Sequence, residues 1–167
     1  VRDSCVAELG IKKQDFSVCN LIESESAKGY CQFGIAKKNN NVDSCKEISN
    51  TYWQGNCYYT YATRNNDGTF CAGITVIEQQ HECFYEVATA TNNPELCATL
   101  PDARADQCLF QIAQTTKDIK LCDTTRTPTS QDVCRLKLAS KVLMVKSLCN
   151  TIKFKVVLDL CFERFVP

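Results

Sequence analysis

Glycine and proline are scarce in this sequence, which has 6 glycines and 4 prolines among 167 residues. Together with a hydrophobic content of 44%, this scarcity excludes a disordered chain and favours a folded, largely helical one. No uncharged apolar run approaches the roughly 20 residues that a transmembrane helix needs. Val1-Arg2-Asp3 begins no apolar signal segment, so we expect a mature form if the chain is exported.

Motifs for catalysis and cofactor binding are also missing. The sequence has no P-loop, no G-x-G-x-x-G or G-x-S-x-G motif, and no closely spaced cysteine pair of the zinc-binding kind. The single histidine, His81, lies two residues before Cys83 and is the one candidate for a metal ligand or a base. We therefore expect no enzyme activity, no cofactor and no metal.

Cysteine, in contrast, is abundant. Its 13 copies make up about 8% of the chain, which is typical of a disulfide scaffold in an oxidising compartment. We therefore expect a secreted, extracellular or cell-surface protein. The gaps between successive cysteines alternate between 14 or 15 and 11 or 12 residues, which makes a tandem repeat of about 26 residues.

Each repeat has a first half, the A segment, built around one cysteine. A polar residue stands a few positions before this cysteine and an aliphatic residue three after it, as in DFSVCNLI (15–22) and NPELCATL (93–100). Asp15, Asp67, Asn93 and Asp118 each precede their cysteine by four residues. A short side-chain oxygen there is typical of a helix N-cap.

The second half of each repeat, the B segment, places an apolar residue four positions after its cysteine and usually alanine after that. Examples are CQFGIA (31–36), CYYTYA (57–62) and CLFQIA (108–113). Residues four apart lie on one face of a helix, so the sulfur and the apolar side chain point the same way.

Each A–B pair therefore predicts a short antiparallel hairpin of two helices, each of about 9–13 residues. Stacked hairpins predict an all-α fold, an α-solenoid. We expect a single repeat domain over 1–167, with a half-repeat at 1–14 and hairpins at roughly 15–40, 41–66, 67–92, 93–117, 118–143 and 144–167. Helices this short are unstable alone, whereas a disulfide closing such a loop contributes about 3 kcal/mol.

Two disulfide registers fit the spacing, and the sequence leaves both open. Pairing between consecutive hairpins would leave Cys161 over. Pairing within hairpins leaves Cys5 unpaired or free for an intermolecular bond, and the near-symmetry of Cys19 and Cys31 about the ESES turn favours it. The pairs within hairpins are Cys19–Cys31, Cys45–Cys57, Cys71–Cys83, Cys97–Cys108, Cys122–Cys134 and Cys149–Cys161.

The repeat, with its helical hairpins and its alanine at the helix crossing, resembles the tetratricopeptide-like and Sel1-like α-solenoids. It is more similar still to secreted microbial proteins built of cysteine-clipped helical hairpins. The resemblance covers nearly all of the chain, but the period is shorter and every predicted helix has a cysteine. It implies a scaffold or a binding surface.

Tyrosine and tryptophan are concentrated in one hairpin. Five of the seven such residues are Tyr52, Trp53, Tyr58, Tyr59 and Tyr61. Such clusters often anchor an interface with a protein or glycan, and equally often pack a core.

Charge is segregated although the net charge is zero. Residues 65–103 contain six acids and no base, and residues 133–158 contain six bases and no acid. This polarity favours head-to-tail contact between copies; the alternative is a set of solvated faces. The basic candidates for an interface are Lys141, Lys146, Lys153 and Lys155.

The two ends of the repeat array also favour contact with other chains. The last hairpin is apolar, and the first element is a B segment without an A segment. We therefore predict a structural protein, a self-assembling subunit of an extracellular filament or surface assembly, whose partners are copies of itself. Stacking two copies directly end to end would place a B segment against a B segment, which breaks the alternation of A and B segments.

Two other functions stay open. One is a monomeric scaffold that binds a protein or glycan through the aromatic hairpin, and the other is a thiol-redox or metal-binding protein. We expect neither nucleic-acid binding nor a membrane span.

Overall fold

The computed structural model of the chain describes residues 2–165, none of which lies in a β-strand. The described chain is all-α, as the sequence predicts. Val1, Val166 and Pro167, which belong to the predicted half-repeat 1–14 and the predicted hairpin 144–167, lie outside the described residues. The chain divides into two compact units, residues 1–83 and 84–167.

The B segments form long α-helices and the A segments form short helices. The α-helices are α1 (Arg2–Lys13), α2 (Phe16–Cys19), α3 (Glu25–Asn39), α4 (Thr51–Asn65), α5 (Ile77–Thr91), α6 (Asp102–Thr116), α7 (Pro128–Lys137) and α8 (Lys155–Glu163). Of these, α2 is an A segment, and the other A segments are the 3-10 helices Val42–Glu47, Gly68–Gly73, Pro94–Thr99, Ile119–Thr124 and Lys146–Thr151.

The two helices of each repeated pair are unequal, whereas the spacing predicts two of about 9–13 residues. Helices α3 to α6 have 15 residues each, and the A segments have 4 to 6. The five 3-10 A segments are short because the N-cap stands four residues before the cysteine and the residue three after it is extended. That residue is aliphatic in four of them and Thr125 in the fifth, whereas α2 ends at Asn20. Ile48, for example, has φ −84° and ψ 116°, and its N–H donates to the carbonyl of Cys45.

Side-chain oxygens cap five of the six A segments. The acceptor at the N-cap takes a hydrogen bond of 2.8–3.1 Å from the backbone N–H two residues on. The five caps are Asp15, Asn41, Asp67, Asn93 and Asp118, while Val145 begins the sixth without a side-chain cap. Asn41 is a cap that the sequence analysis did not identify.

A residue in the left-handed conformation ends the long helix before each A segment. The six residues have φ between 48° and 59°, and they are Gln14, Asn40, Asn66, Asn92, Lys117 and Met144. At Asn66 the next N–H, of Asp67, returns to the carbonyl of Ala62 at 3.0 Å, which is the long hydrogen bond of a Schellman motif. One residue thus ends a B helix and the next begins an A segment.

The cysteine gap of 15 residues between Cys134 and Cys149 produces a local change of helix type. The helix α7 continues as a π-helix over Leu138–Leu143 before the chain turns at Met144. A π-turn accommodates one extra residue without shifting what precedes it. The next A segment therefore keeps its place despite the insertion.

The core of each unit is a row of clusters built on disulfides. In residues 1–83, one cluster combines Cys19 and Cys31 with Ile22 and Ile35, and the next is built in the same way on Cys45 and Cys57. The six bonds have Cα–Cα distances of 5.5–5.8 Å and are Cys19–Cys31, Cys45–Cys57, Cys71–Cys83, Cys97–Cys108, Cys122–Cys134 and Cys149–Cys161. They follow the register within hairpins.

Neighbouring B helices also touch each other directly. In the first unit α1 packs on α3 and α3 on α4, and in the second α7 packs on α8. The A segments are too short to separate the longer helices. Contact of B segment with B segment therefore occurs inside each unit.

Removing one disulfide tests how strongly these bonds hold the fold. We expect the double variant Cys45→Ala/Cys57→Ala to lose about 3 kcal/mol of unfolding free energy, because the loop is no longer closed in the unfolded chain. Urea unfolding followed by circular dichroism measures it. The control Cys5→Ala, at an exposed unpaired cysteine, should change stability by less than about 0.5 kcal/mol. Equal stability of double variant and wild type would contradict the expectation.

The left-handed residues allow a test of backbone strain. Lys117 is exposed and has φ 59°, a conformation that costs a residue with a Cβ about 1–2 kcal/mol. We expect Lys117→Gly to raise the unfolding free energy by about 1 kcal/mol. Lys117→Ala should bring no such gain, and Asn66→Gly should gain less because asparagine tolerates this region. Thermal and urea unfolding measure all three, and a destabilised Lys117→Gly would oppose the argument.

Candidate interaction surfaces

Trp53, predicted as an interface residue, is half-buried in a cluster of rings. The rings of Tyr30, Phe33 and Tyr52 lie around it at centroid distances of 5.2, 5.5 and 5.4 Å. Gly29 leaves the space for this contact, since a Cβ there would lie 2.7 Å from Trp53 Cδ1. Trp53 thus joins α3 to α4.

Tyr61 is a core residue rather than part of an interface. Its side chain is buried, and its hydroxyl donates to the carbonyl oxygen of Ala36 at 3.1 Å. Burial raises the pKa of the phenol, against a smaller opposing effect of Arg64. The residue lies four after Cys57, so the B pattern itself places it on the buried face.

The surface of the aromatic hairpin is formed by fewer tyrosines than the sequence predicts. Tyr58 and Tyr59 are half-buried, and the ring of Tyr58 packs against Gly73 of the next A segment. Tyr52 is exposed, and so is Tyr30, which the sequence analysis did not select because it lies one repeat earlier. Tyr30 and Tyr52 flank Trp53 and make an exposed tyrosine pair.

The four predicted lysines of the basic end are all exposed. Lys146 holds its ammonium group 6.0 Å from the ring centroid of Phe162, a cation–π contact. Lys141, Lys153 and Lys155 also lie on the surface. They supply positive charge around the last two helical segments.

Apolar side chains are exposed on α8, after the last of these lysines. Val156 and Leu160 are 73% and 44% exposed and lie four residues apart, on one helix face. Phe154, just before the helix, is exposed as well. This α8 face, Val156 and Leu160, is an apolar surface.

A second exposed apolar position lies on α1. Cys5 is exposed, and Leu9, one turn later, is 44% exposed. These two residues, the α1 face, occupy the positions that the B pattern buries elsewhere. The two faces are the candidate contact surfaces of the molecule.

A buried ion pair holds the start of α8. Asp132, 1% exposed, accepts a 2.8 Å hydrogen bond from the guanidinium of Arg135. Its other oxygen accepts the backbone N–H groups of Lys153 and Phe154 at 3.0 and 2.7 Å. Arg135 also contacts Asp123. Asp132 therefore caps a helix that has no side-chain cap of its own, a role that its position in the sequence did not indicate.

An apolar cleft of about 440 Å³ lies in the second unit between two A segments and α6. Ala98, Leu109 and Leu121 line it, and Arg126 stands at its edge. Leu109 is the residue after its B cysteine, as Tyr58 is in the aromatic hairpin. Leucine is smaller than tyrosine, so the cleft beside Leu109 stays open, whereas the ring of Tyr58 fills a space of this kind beside Gly73.

Across residues 2–165, no group of three or more histidine, cysteine or acidic side chains is arranged to hold a metal ion. His81 is half-buried on α5. Within the same span, no helix is long and apolar enough to cross a membrane.

Removing Asp132 should be costly, because it leaves the Arg135 guanidinium and two backbone N–H groups without their buried acceptor. We expect Asp132→Ala to lose about 3–5 kcal/mol of unfolding free energy. The matched control is Asp43→Ala, whose salt bridge with Lys46 is exposed on both sides and should contribute far less to stability. Urea unfolding compares the two, and similar losses would refute the role of Asp132.

Comparisons with known proteins return no match: no family model, no curated protein and no solved structure is similar to this chain. The disulfides, the α1 face, the α8 face and the exposed tyrosine pair are therefore the observations from which a function is argued.

Proposed function

We propose that this protein is an exported, non-enzymatic α-solenoid that serves as a structural subunit of an extracellular filament or surface assembly. Copies join head to tail, the α8 face of one chain meeting the α1 face of the next. The observation that carries the proposal is the exposure of Val156, Leu160 and Leu9 on the first and last helices described.

Export is supported by the chemistry of the disulfides. Each repeat closes on a bond whose sulfurs are buried, and a reducing cytosol rarely allows six such bonds. A solenoid is supported by the recurrence of one packing unit. The disulfide recurs in all six A–B pairs, and a side-chain cap and a buried aliphatic residue three after the A cysteine each recur in five.

Head-to-tail joining is supported by how B helices pack inside each unit. The pairs α1–α3, α3–α4 and α7–α8 all contact directly. An α8–α1 contact between copies would repeat this kind of contact. Because such a contact joins two different surfaces, it leaves a free face at each end and leads to open filaments unless the geometry closes a ring.

The alternative is a monomeric scaffold that binds a protein or glycan. It is favoured by the exposed Tyr30 and Tyr52, whose rings are held by Trp53. Rigid tyrosines of this kind are frequent in binding surfaces. The two functions differ in oligomeric state.

Self-association is measured by sedimentation velocity over a range of concentrations in oxidising buffer, with electron microscopy of the same samples. We expect oligomers that grow with concentration, and Val156→Lys/Leu160→Lys to weaken association about tenfold or more by charging the α8 face. Leu21→Lys is the matched control, because Leu21 is 63% exposed but lies outside both faces.

A monodisperse monomer at high concentration would overturn the proposed structural role. It would favour the alternative, a monomeric scaffold that binds through the exposed tyrosine pair. An effect of Leu21→Lys equal to that of the double variant would show that association is nonspecific.

A further inference from the structure

The apolar cleft of the second unit lies at a place that the repeat builds more than once. Five positions define this place. Two lie three and two residues before an A cysteine, and a third follows that cysteine directly. The others are the residue after the B cysteine and the second residue after the next A cysteine. In the cleft of about 440 Å³ they are Pro94, Glu95, Ala98, Leu109 and Thr124.

The same positions one repeat later line a much smaller cleft, of about 120 Å³. They are Ile119, Lys120, Asp123, Arg135 and Thr151. The guanidinium of Arg135, the residue after its B cysteine, contacts the carboxylate of Asp123, the residue after the A cysteine. The side chain of Arg135 is only 10% exposed, so an ion pair of the protein itself fills this cleft.

The first unit fills the corresponding place with an aromatic ring and an ammonium group. Tyr58 follows its B cysteine, and a Cβ at Gly73, two residues after the next A cysteine, would lie 3.1 Å from three atoms of its ring. Lys46 follows the A cysteine, and its ammonium lies 2.6 Å from the carboxylate of Asp43. Asp43 raises the pKa of Lys46, and Tyr58 adds a smaller effect in the same direction, which places the ammonium near the phenol.

The larger cleft has the acid of this arrangement without the ring or the base. Glu95 lies two residues before its A cysteine, the position of Asp43 in the first unit. The positions of the lysine and the tyrosine are taken by Ala98 and Leu109. Among residues 2–165, the Glu95 carboxylate has no hydrogen-bond or ion-pair partner. This carboxylate is therefore available to a cation from outside the chain.

Arg126 is the other charged residue that lines the cleft. Its guanidinium contacts the carboxylate of Asp102 and donates to the carbonyl oxygen of Leu100 at 3.1 Å. Its backbone N–H donates to Asp106 at 3.0 Å. The positive charge of Arg126 is thus matched within the protein, and Glu95 gives the cleft a preference for a cation.

We propose that this cleft binds a small aromatic amine. The ring lies between the two A segments against Leu109 and Leu121, and the ammonium group pairs with Glu95. Such a ligand supplies the two groups that Tyr58 and Lys46 supply in the first unit. A volume of about 440 Å³ and an apolar lining are typical of a small-molecule site. Burial of the ring gives most of the affinity, and the ion pair with an exposed carboxylate selects the amine.

The probe is tyramine, which combines a phenol ring with an aliphatic amine that is protonated at pH 7. It is titrated into the oxidised, isotope-labelled full chain and followed by NMR. We expect saturable shifts centred on Ala98, Leu109 and Leu121, with a Kd of about 1 mM for a ligand of this size. Tyrosol, in which a hydroxyl replaces the amine, should bind about threefold more weakly because it lacks the charge. The anion hydroxyphenylpropionate should bind more weakly still.

Three variants separate the charge from the shape of the cleft. Glu95→Gln should bind tyramine and tyrosol equally, whereas Glu86→Gln, at an exposed acid of α5 outside the cleft, should keep the preference for tyramine. The triple variant Ala98→Lys/Leu109→Tyr/Thr124→Gly copies the filling of the first unit, so tyramine should bind about tenfold more weakly or worse. Circular dichroism checks that each variant folds.

An absence of saturable shifts, equal binding of tyramine and tyrosol to the wild type, or an unchanged preference in Glu95→Gln would overturn the amine site. So would stronger binding of the anion, which would assign the ligand's charge to Arg126. Should the triple variant fail to fold, the comparison of Glu95→Gln with Glu86→Gln still decides.

The inference does not depend on the proposed structural role, because the cleft includes neither the α1 face nor the α8 face. The same titration on Val156→Lys/Leu160→Lys should give the same Kd, since neither residue lines the cleft. Failure of the proposed function in sedimentation and failure of this inference are therefore separate results.

Discussion

The disulfide between an A segment and the B helix that follows it is the bond on which the rest of the structure depends. A helix of 4 to 6 residues does not persist alone in water, because its few hydrogen bonds do not offset the ordering of its backbone. Once Cys45 is bonded to Cys57, Ile48 is held against α4 and completes a core cluster. The same closure recurs in every hairpin, so the core is assembled from local pieces.

The junctions between the long helices and the A segments keep successive repeats aligned. A left-handed residue ends each long helix that precedes an A segment, and the next residue begins the A segment. At Asn66 and Asp67, two residues thus satisfy free backbone groups at the ends of two helices. This junction survives an irregular repeat: the π-helix Leu138–Leu143 takes up one extra residue, and Met144 still turns the chain.

The residue two positions before the B cysteine contributes to the contact between neighbouring helical segments. Gly29 lets the side chain of Asn50 approach closely. At the equivalent position, Asp106 accepts a hydrogen bond from the backbone N–H of Arg126, and Asp132 accepts one from the backbone N–H of Phe154. Both N–H groups lie just before the start of a later helix. At Gly29 the absence of a side chain allows the close contact, and at Asp106 and Asp132 a carboxylate accepts a hydrogen bond from the neighbouring segment. On α8, the apolar residues Val156 and Leu160 are exposed.

The sequence by itself determined the all-α class, the A and B segments and four of the N-caps, because each depends on residues within one repeat. Its spacing allowed two disulfide registers, and only the tertiary structure decided between them, since that choice depends on which chain segments approach each other. The capping of α8 by Asp132 and the exposure of Leu9 were decided in the same way. These properties belong to contacts between segments some 20 or more residues apart, and no local pattern specifies which side of a helix a distant segment will cover.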